Sequence, residues 1–302
     1  MIERPTHETQ ADRDVRRRPH ADARNLALRV GSAAVLAPIV VAAAYLGGWF
    51  FLVLCGLGAA GILWEWARLV AGSSRPRVLG PGWVALLAAF VFAGMNEPGA
   101  AAGVIAAGAV SAGLLGIAGP VGCAGQSGRA TALWAAGGVV YAGAAFLGPA
   151  LLRRDAELGF TAFLFVAASV WLTDICAYVV GRMIGGLRLW PRVSPSKTWA
   201  GAIGGLVGGI AGGTLVAYAS GIGRVAVVGV IALLLSALAQ AGDLLESAIK
   251  RRFGAKDTSQ LIPGHGGLMD RLDGFLVAAL AALLIGILHQ GTDAPAHGLL
   301  VW

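Results

Sequence analysis

Long apolar runs recur along almost the whole chain, and they constrain its fold more than any other feature. A helix that crosses a bilayer needs about 20 mostly apolar residues, and runs of this kind lie near residues 28–47, 49–69, 82–96, 100–119, 130–152, 160–185, 199–220, 224–249 and 273–290. Only 13% of the residues are charged, whereas soluble domains have about a quarter. The sequence therefore predicts an all-α, polytopic integral membrane protein with about nine transmembrane helices; the third run is short, which makes the count approximate.

The distribution of positive charge predicts the orientation of these helices. Cytoplasmic loops of membrane proteins are enriched in Lys and Arg. If the N-terminus is cytosolic, nine spans place only Arg153, Arg154 and Arg224 of the 23 Lys and Arg residues on the other side. The net charge of +7 then reflects topology and attraction to anionic lipid headgroups. No nucleic-acid partner is predicted.

Three segments follow from this pattern. Residues 1–26 are polar, lack an apolar period and are predicted to form a disordered cytosolic tail. Residues 27–155 form N-terminal transmembrane helices, and residues 156–302 form a C-terminal transmembrane region that contains the catalytic residues. Cys55, Cys123 and Cys176 lack the paired spacing of metal sites or disulfide frameworks and are interpreted as core residues.

Two features are interpreted as structural. Glu65, in the stretch LWEWARL, is flanked by two tryptophans and lies one turn before Arg68. This arrangement favours an aromatic belt at the membrane surface over a catalytic role. The stretch GAIGGLVGGIAGG has glycines at four-residue steps, which predicts close helix packing: Gly201, Gly205, Gly209 and Gly213.

Acidic and basic residues concentrate in three clusters of the C-terminal region, all on the predicted cytosolic side. In the first, TDICAYVVGR, one helical face holds Asp174, Tyr178, Gly181 and Arg182. Asp174 is predicted to lie roughly 16 Å from the cytosolic end of its helix. A carboxylate there costs about 2.5–3.5 kcal/mol to insert, so a functional role is favoured over a structural ion pair.

The second cluster, RVSPSKTWAG, leads into the seventh apolar run. Its proline and hydroxyl side chains fit a turn before a helix, where unpaired N–H groups and the helix dipole attract an anion. A simple helix cap is the alternative. The candidate phosphate-binding residues are Ser194, Ser196, Lys197 and Thr198.

The third cluster lies between the eighth and ninth runs. Asp243, Ser247 and Lys250 are spaced i, i+4 and i+7 at the end of one helix, while Asp270 and Asp273 begin the next. Three carboxylates at close range need a cation between them, and oxygen ligands suit Mg²⁺.

The residues around these carboxylates indicate phosphate chemistry. Four cations, Arg251, Arg252, Lys256 and Arg271, are placed to accept phosphates. His265 fits a loop hydrogen bond and proton transfer equally well. Carboxylates for a metal, surrounded by cations for phosphates, are typical of phosphoryl or nucleotidyl transfer.

The run SAIKRRFGAKDTSQLIPGHGGLMDRLD, from Ser247 to Asp273, resembles the signature of the phosphatidate cytidylyltransferase (CDP-diacylglycerol synthase) family. The stretches TDICAYVVGR and SPSKTWAG resemble two further motifs of that family, so the similarity covers about residues 170–275. The N-terminal runs match only in hydrophobicity and in the WEW element. Ala200 departs from the pattern, because the family usually has an acidic or amide residue after KTW.

This resemblance implies an enzyme of phospholipid biosynthesis that makes CDP-diacylglycerol and pyrophosphate from CTP and phosphatidic acid with Mg²⁺. It implies a multi-pass protein of the cell (inner or plasma) membrane, an active site on the cytoplasmic side, and a homodimer. Asp243, Asp270 and Asp273 would be the metal ligands, and with Lys250 the catalytic residues. The implied substrate-binding residues are Asp174, Arg182, Ser194, Lys197, Thr198, Ser247, Arg251, Lys256, His265 and Arg271.

Two alternatives remain open from the residues. Another CTP-dependent lipid enzyme, such as a polyprenol kinase or an archaeal-type CDP-lipid (CDP-archaeol) synthase, would share the chemistry and differ in its lipid. An ion-coupled transporter would use Asp174 and Asp243 as an ion relay. The transporter is less favoured, because the sequence shows neither the inverted repeats nor the broken helices common in transporters.

Overall fold

The structure, a computed structural model, describes residues 31–32, 34–70, 75–117, 128–261 and 266–302. The predicted tail at residues 1–26, Cys123 and His265 lie outside these ranges.

The apolar runs fold into helices, as the sequence predicts. Within the described residues, seven helices are long and apolar enough to cross a membrane: α2 (Gly48–Val70), α4 (Pro98–Ile117), α5 (Gly128–Leu152), α6 (Gly159–Ile184), α7 (Trp199–Ala219), α8 (Val225–Arg252) and α9 (Met269–Gln290). Helix α1 (Ala34–Leu46) and the apolar part of α3 (Arg75–Gly94), Leu79–Gly94, are shorter. These two coincide with the first and third predicted runs. An all-α, polytopic membrane protein is thus confirmed.

Helices α1 and α2 are separated at Gly47, whose φ of +66° is a backbone conformation that side chains disfavour. The guanidinium of Arg153 fills the space beside this glycine. It donates hydrogen bonds to the carbonyl oxygens of Ala44 and Tyr45, at the end of α1. These two carbonyls have no partner further along their helix, so Arg153 ties the end of α1 to the end of α5.

Helices α6 and α7 pack backbone to backbone along the glycine face of α7. A Cβ atom on Gly208 would lie 2.6 Å from the carbonyl oxygen of Leu172, and one on Gly212 would lie 2.6 Å from that of Ala168. On the predicted face itself, a Cβ atom on Gly201 would lie 2.7 Å from the carbonyl oxygen of Ala177, so the predicted close packing is confirmed. Thr173 then reaches α8, with its Oγ1 2.6 Å from Oγ of Ser236, so the helix turn that contains Asp174 is fixed against both neighbours.

A short antiparallel hairpin stands between α6 and α7, where the sequence indicated a turn and a helix entry. Strand β1 (Arg188–Trp190) pairs with β2 (Ser194–Thr198), with Trp190 opposite Ser194. The Thr198 side chain accepts a hydrogen bond from the N–H of Gly201 at 3.1 Å and caps α7. Exposed apolar side chains surround the hairpin: Leu187, Trp190 and Trp199.

A final helix, α10 (Pro295–Leu300), packs against α9 at the opposite end of the molecule. Nδ1 of His297 lies 2.7 Å from Oδ2 of Asp155, which precedes α6. Burial alone would raise the pKa of Asp155, but bonds from the N–H of Leu158, from His297 and from the N–H of Glu157 outweigh it. The pKa of Asp155 therefore lies below its ordinary value.

Candidate active site

One cavity of about 810 Å³ lies between α6, β2, α7, α8 and the start of α9. It brings together side chains that are up to 99 positions apart in the sequence, since Asp174 and Asp273 both line it. Ten of the predicted site residues line this cavity: Asp174, Arg182, Ser196, Lys197, Thr198, Asp243, Lys250, Asp270, Arg271 and Asp273.

Helix α8 presents a slightly different face to the cavity from the one the sequence predicted. Gln240, Asp243, Glu246 and Lys250 line it, whereas Ser247 is half-buried and does not. Positions 246 and 247 both lie about one turn from Asp243. The spacing alone does not choose between them, and the packing of α8 turns Glu246 inward.

Lys250 is shared by two buried carboxylates. Its Nζ lies 2.6 Å from Oε2 of Glu246 and 2.8 Å from Oδ1 of Asp270. Glu246 is only 2% exposed, and its Oε1 is buried without a hydrogen-bond partner. Sequence reasoning missed Glu246, although its i, i+4 spacing to Lys250 was a usable signal.

Asp270 is held by the loop before α9 as well as by Lys250. Its Oδ2 accepts hydrogen bonds from the N–H of Thr258 at 3.1 Å and of Gly267 at 3.0 Å. It also lies in the first turn of α9, where the helix dipole favours a negative charge. The carboxylate thus has a charged partner on one oxygen and backbone donors on the other.

The remaining acids of the cavity have much less positive charge around them. Lys197 contacts Asp243, with Nζ 2.5 Å from Oδ2. Asp174 and Asp273 both experience the negative charge of Asp243 and the positive charge of Lys197. These three aspartates share one lysine as a neighbouring cation, so this part of the cavity has an excess of negative charge.

A basic rim borders the cavity where the hairpin meets α6. Arg182 and Arg188 form this rim, and Arg271 lines the cavity from the start of α9. Nη1 of Arg182 donates to the Tyr178 hydroxyl at 3.1 Å, and Nη1 of Arg188 donates to the Ser196 carbonyl at 3.2 Å. Sequence reasoning missed Arg188, since a single arginine in a short loop is explained by topology alone.

The basic rim adjoins apolar surface. Met183 is 80% exposed and Leu187 is 82% exposed, at the end of α6 and before β1. Such side chains are expected to face the lipid, so the rim lies where a polar cavity meets the bilayer.

Five predicted residues lie away from the cavity lining. Arg251, Arg252 and Lys256 are exposed, while Ser194 and Ser247 are half-buried. Their substrate-binding roles, and that of His265 outside the described residues, stay predictions.

No group of three His, Cys, Asp or Glu side chains that could hold a metal ion is assembled within residues 31–32, 34–70, 75–117, 128–261 and 266–302. The predicted ligands Asp243 and Asp270 contact Lys197 and Lys250 instead.

Glu65 lies outside the cavity but contacts the loop that holds Asp270. Its side chain is fully buried and accepts hydrogen bonds from Thr258 and Ser259 and from two backbone N–H groups at the start of α9. Arg68, its expected neighbour, instead stacks over Trp64 at 4.8 Å. Glu65 is therefore an internal residue, and its interpretation as a surface belt residue beside Arg68 was wrong.

These features define a class of protein, a polytopic α-helical membrane enzyme whose cavity combines carboxylates with basic side chains. The chain belongs to the Cytidylyltransferase family, whose sequence profile matches residues 27–288.

Similar proteins from several bacteria are named phosphatidate cytidylyltransferase. The one from Brucella suis is 40% identical over 280 residues, which cover 90% of this chain and 97% of the relative. The one from Brucella abortus is 40% identical over 278 residues, with 89% and 96% coverage. The one from Staphylococcus aureus is 40% identical over 139 residues, 46% of this chain and 52% of the relative.

Proposed function

We propose that this protein transfers the cytidylyl group of CTP to phosphatidic acid and produces CDP-diacylglycerol and pyrophosphate. One observation carries the proposal. A single cavity combines an acidic cluster (Asp174, Asp243 and Asp273), two lysines and a basic rim, and exposed apolar surface lies next to it. The chain is also 40% identical, over nearly its whole length, to relatives named for this activity.

The proposed reaction is an in-line displacement at the α-phosphorus of CTP. A phosphate oxygen of phosphatidic acid attacks, a new P–O bond forms, and the bond to the β-phosphate oxygen breaks with its electron pair leaving on pyrophosphate. No general base is required, because the attacking phosphate is already ionised. Such transfers depend on positioning and on neutralising charge.

The side chains of the cavity divide into two groups with different roles. Lys197, Lys250 and Arg271 would neutralise the triphosphate, because they surround the acidic cluster. Arg182 and Arg188 would hold the lipid phosphate, because they lie at the rim beside exposed apolar side chains. The lipid would enter sideways from the bilayer and CTP from the cytosol.

Mg²⁺ is part of this proposal, which rests on the chemistry and charge of the acids in the cavity. Asp174, Asp243 and Asp273 are oxygen donors with an excess of negative charge, as a hard divalent cation requires. Asp243 and Asp273 would hold the ion, with Asp270 as the third predicted ligand. When bound, Mg²⁺ would supply Lewis-acid stabilisation of phosphate charge.

The cytoplasmic side of the cell membrane is proposed for the active site, since CTP is a cytosolic metabolite and the cavity adjoins the Lys- and Arg-rich loops. A homodimer stays a prediction.

The proposal is tested with purified protein in detergent micelles containing phosphatidic acid, with pyrophosphate measured over time and the lipid product identified by mass spectrometry. We expect pyrophosphate only when CTP, phosphatidic acid and Mg²⁺ are all present, with CDP-diacylglycerol as the product. Parallel reactions replace phosphatidic acid with a polyprenol or with an archaeal-type ether-lipid phosphate. Turnover of one of these in preference to phosphatidic acid would overturn the choice of lipid, and no turnover of any lipid would overturn the function.

A further inference from the structure

Glu65 binds four donors with its two carboxylate oxygens, all from the loop between α8 and α9 or from the start of α9. Its Oε1 accepts from Oγ of Ser259 at 2.5 Å and from the N–H of Leu268 at 2.8 Å. Its Oε2 accepts from Oγ1 of Thr258 at 3.2 Å and from the N–H of Met269 at 2.7 Å. The side chain is fully buried, so these bonds replace its hydration completely.

The same two loop segments bind Asp270 from the other side. Thr258 donates its hydroxyl to Glu65 and its N–H to Asp270. Gly267 donates its N–H to Asp270, and the next residue, Leu268, donates to Glu65. Glu65 and Asp270 therefore hold the same two segments, residues 258–259 and 267–269, between them.

The two carboxylates and the two segments between them are tightly packed. A Cβ atom on Gly267 would lie 1.9 Å from Oγ1 of Thr258, 2.8 Å from Oδ2 of Asp270 and 3.1 Å from Oε1 of Glu65. A displacement of the Glu65 carboxylate would therefore be passed to Thr258 and Gly267, both of which donate to Asp270.

We propose that Glu65, a residue of α2, is a positioning residue for the active site. It fixes residues 258–259, residues 267–268 and the start of α9, and thereby holds Asp270 at Lys250 and directs Asp273, one turn later, into the cavity. This inference rests on the proposed function for its kinetic consequences. Its structural consequence, the ordering of the loop, does not depend on that function.

The substitution Glu65→Gln tests the proposal with little change in size. An amide has one accepting oxygen, and its NH₂ group would face a backbone N–H of Leu268 or Met269, donor against donor. We expect kcat/KM for CTP to fall by about 10- to 100-fold, as for a misplaced catalytic group, while KM for phosphatidic acid changes less than twofold. The matched control is Glu97→Gln, an exposed glutamate between α3 and α4, which should match the unaltered protein.

Hydrogen exchange supplies a readout that is independent of turnover. In Glu65→Gln we expect faster exchange at the amides of residues 258–261 and 267–269, with no change in the middle of α2 or α9. A role in overall folding alone would instead raise exchange throughout α2. Ser259→Ala removes the hydrogen bond from Ser259 to Glu65 and leaves Glu65 itself unchanged. We expect a smaller loss of kcat/KM for CTP and a smaller rise in exchange at the same amides. If Glu65→Gln fails to fold, this variant tests the proposal in its place.

The proposal is overturned if folded Glu65→Gln retains full kcat/KM for CTP, or if its loss of activity is accompanied by exchange changes throughout the protein and not at the loop. It is equally overturned if Glu65→Gln fails to fold and Ser259→Ala shows neither effect. If the unaltered protein releases no pyrophosphate, the proposed function fails instead, and local loop exchange in Glu65→Gln still decides whether Glu65 orders the loop around Asp270.

Discussion

At the scale of single residues, the cavity contains two different kinds of acid. Glu246 and Asp270 share Lys250 at 2.6 and 2.8 Å. Removing Lys250 would leave both buried carboxylates without their cation, and breaking a buried ion pair in this way costs about 3–5 kcal/mol. Asp273, by contrast, faces the like charges of Asp243 and Asp174, so removing its charge relieves repulsion. The two kinds of acid should respond differently to neutralisation.

We expect Asp273→Asn to separate activity from stability. Turnover should fall by about 100-fold or more, as when a preorganised electrostatic group at a reacting phosphate is removed. The thermal unfolding midpoint in detergent should stay the same or rise, because one of three neighbouring negative charges is lost. Asp270→Asn should lower both quantities, since its carboxylate also accepts from the N–H of Thr258 and of Gly267.

The control for both variants is Asp293→Asn, an exposed residue before α10, which should leave rate and midpoint unchanged. Near-normal Mg²⁺-dependent turnover in Asp273→Asn would contradict the metal-ligand role.

At the scale of elements, the position of Asp174 depends on how closely α6 approaches α7. The contact is made by bare backbone, since Cβ atoms on Gly208 and Gly212 would lie within 2.6 Å of carbonyl oxygens of α6. Small residues permit such an approach in membranes, where apolar area contributes little to helix association. The glycine face of α7 therefore serves the site through the helix that contains Asp174.

Gly208→Ala should force α6 and α7 apart. The added methyl group would meet the Leu172 carbonyl, which does not move without its helix, and overpacking of this kind costs about 1–3 kcal/mol. We expect a lower thermal unfolding midpoint in detergent and reduced turnover. Gly223→Ala is the matched control, because nothing lies within 4 Å of its added Cβ, and it should behave as the unaltered protein. Equal midpoints for the two variants would contradict the packing account.

The docking of α10 should depend on acid pH. The pKa of Asp155 is lowered in the folded protein, so the stabilisation from its charged form is present above the ordinary aspartate value of about 3.9. It is lost as the pH falls below that value and the carboxylate is protonated. We expect proteolysis or hydrogen exchange at residues 295–302 to increase below about pH 4, and the increase to be present already at pH 7 in Asp155→Asn. An unchanged pH profile in that variant would exclude Asp155 as the contact that holds α10.

At the scale of the whole molecule, the orientation in the membrane decides which substrates can reach the cavity. The hairpin, the end of α8 and the start of α9 border the cavity, while the α5–α6 connection contacts α10 at the opposite end. This separation agrees with the charge distribution, since the predicted topology places Arg153, Arg154 and Arg224 on the side opposite the cavity. CTP can then reach the cavity only if that end faces the cytosol.

Reporter fusions test this orientation. A reporter inserted near Gln260 should report a cytosolic location, and one fused after Trp302 should report the opposite side. The reason is the strong bias of Lys and Arg to one end of the molecule. The reverse pair of results would contradict a cytosolic active site.

Much of the fold follows from local sequence. Whether a run of about 20 apolar residues forms a helix depends on that run and the bilayer, so the apolar runs and the helices coincide. The cavity acids Asp174, Asp243, Asp270 and Asp273 were identified for a related reason. A carboxylate near or within an apolar span is costly, and it therefore stands out in the sequence without any knowledge of its neighbours.

Other features depend on contacts between distant parts of the chain. Glu65 bonds to Met269, 204 positions away, and no local pattern connects them. Glu246 and Ser247 are both about one turn from Asp243, and only the packing of α8 decided that Glu246 lines the cavity. The sequence by itself determined the helices and the costly charges within them, because both depend on each segment's own interaction with the bilayer. Only the tertiary structure decided which of these charges meet, because short-range hydrogen bonds and ion pairs depend on the relative rotation and separation of packed helices.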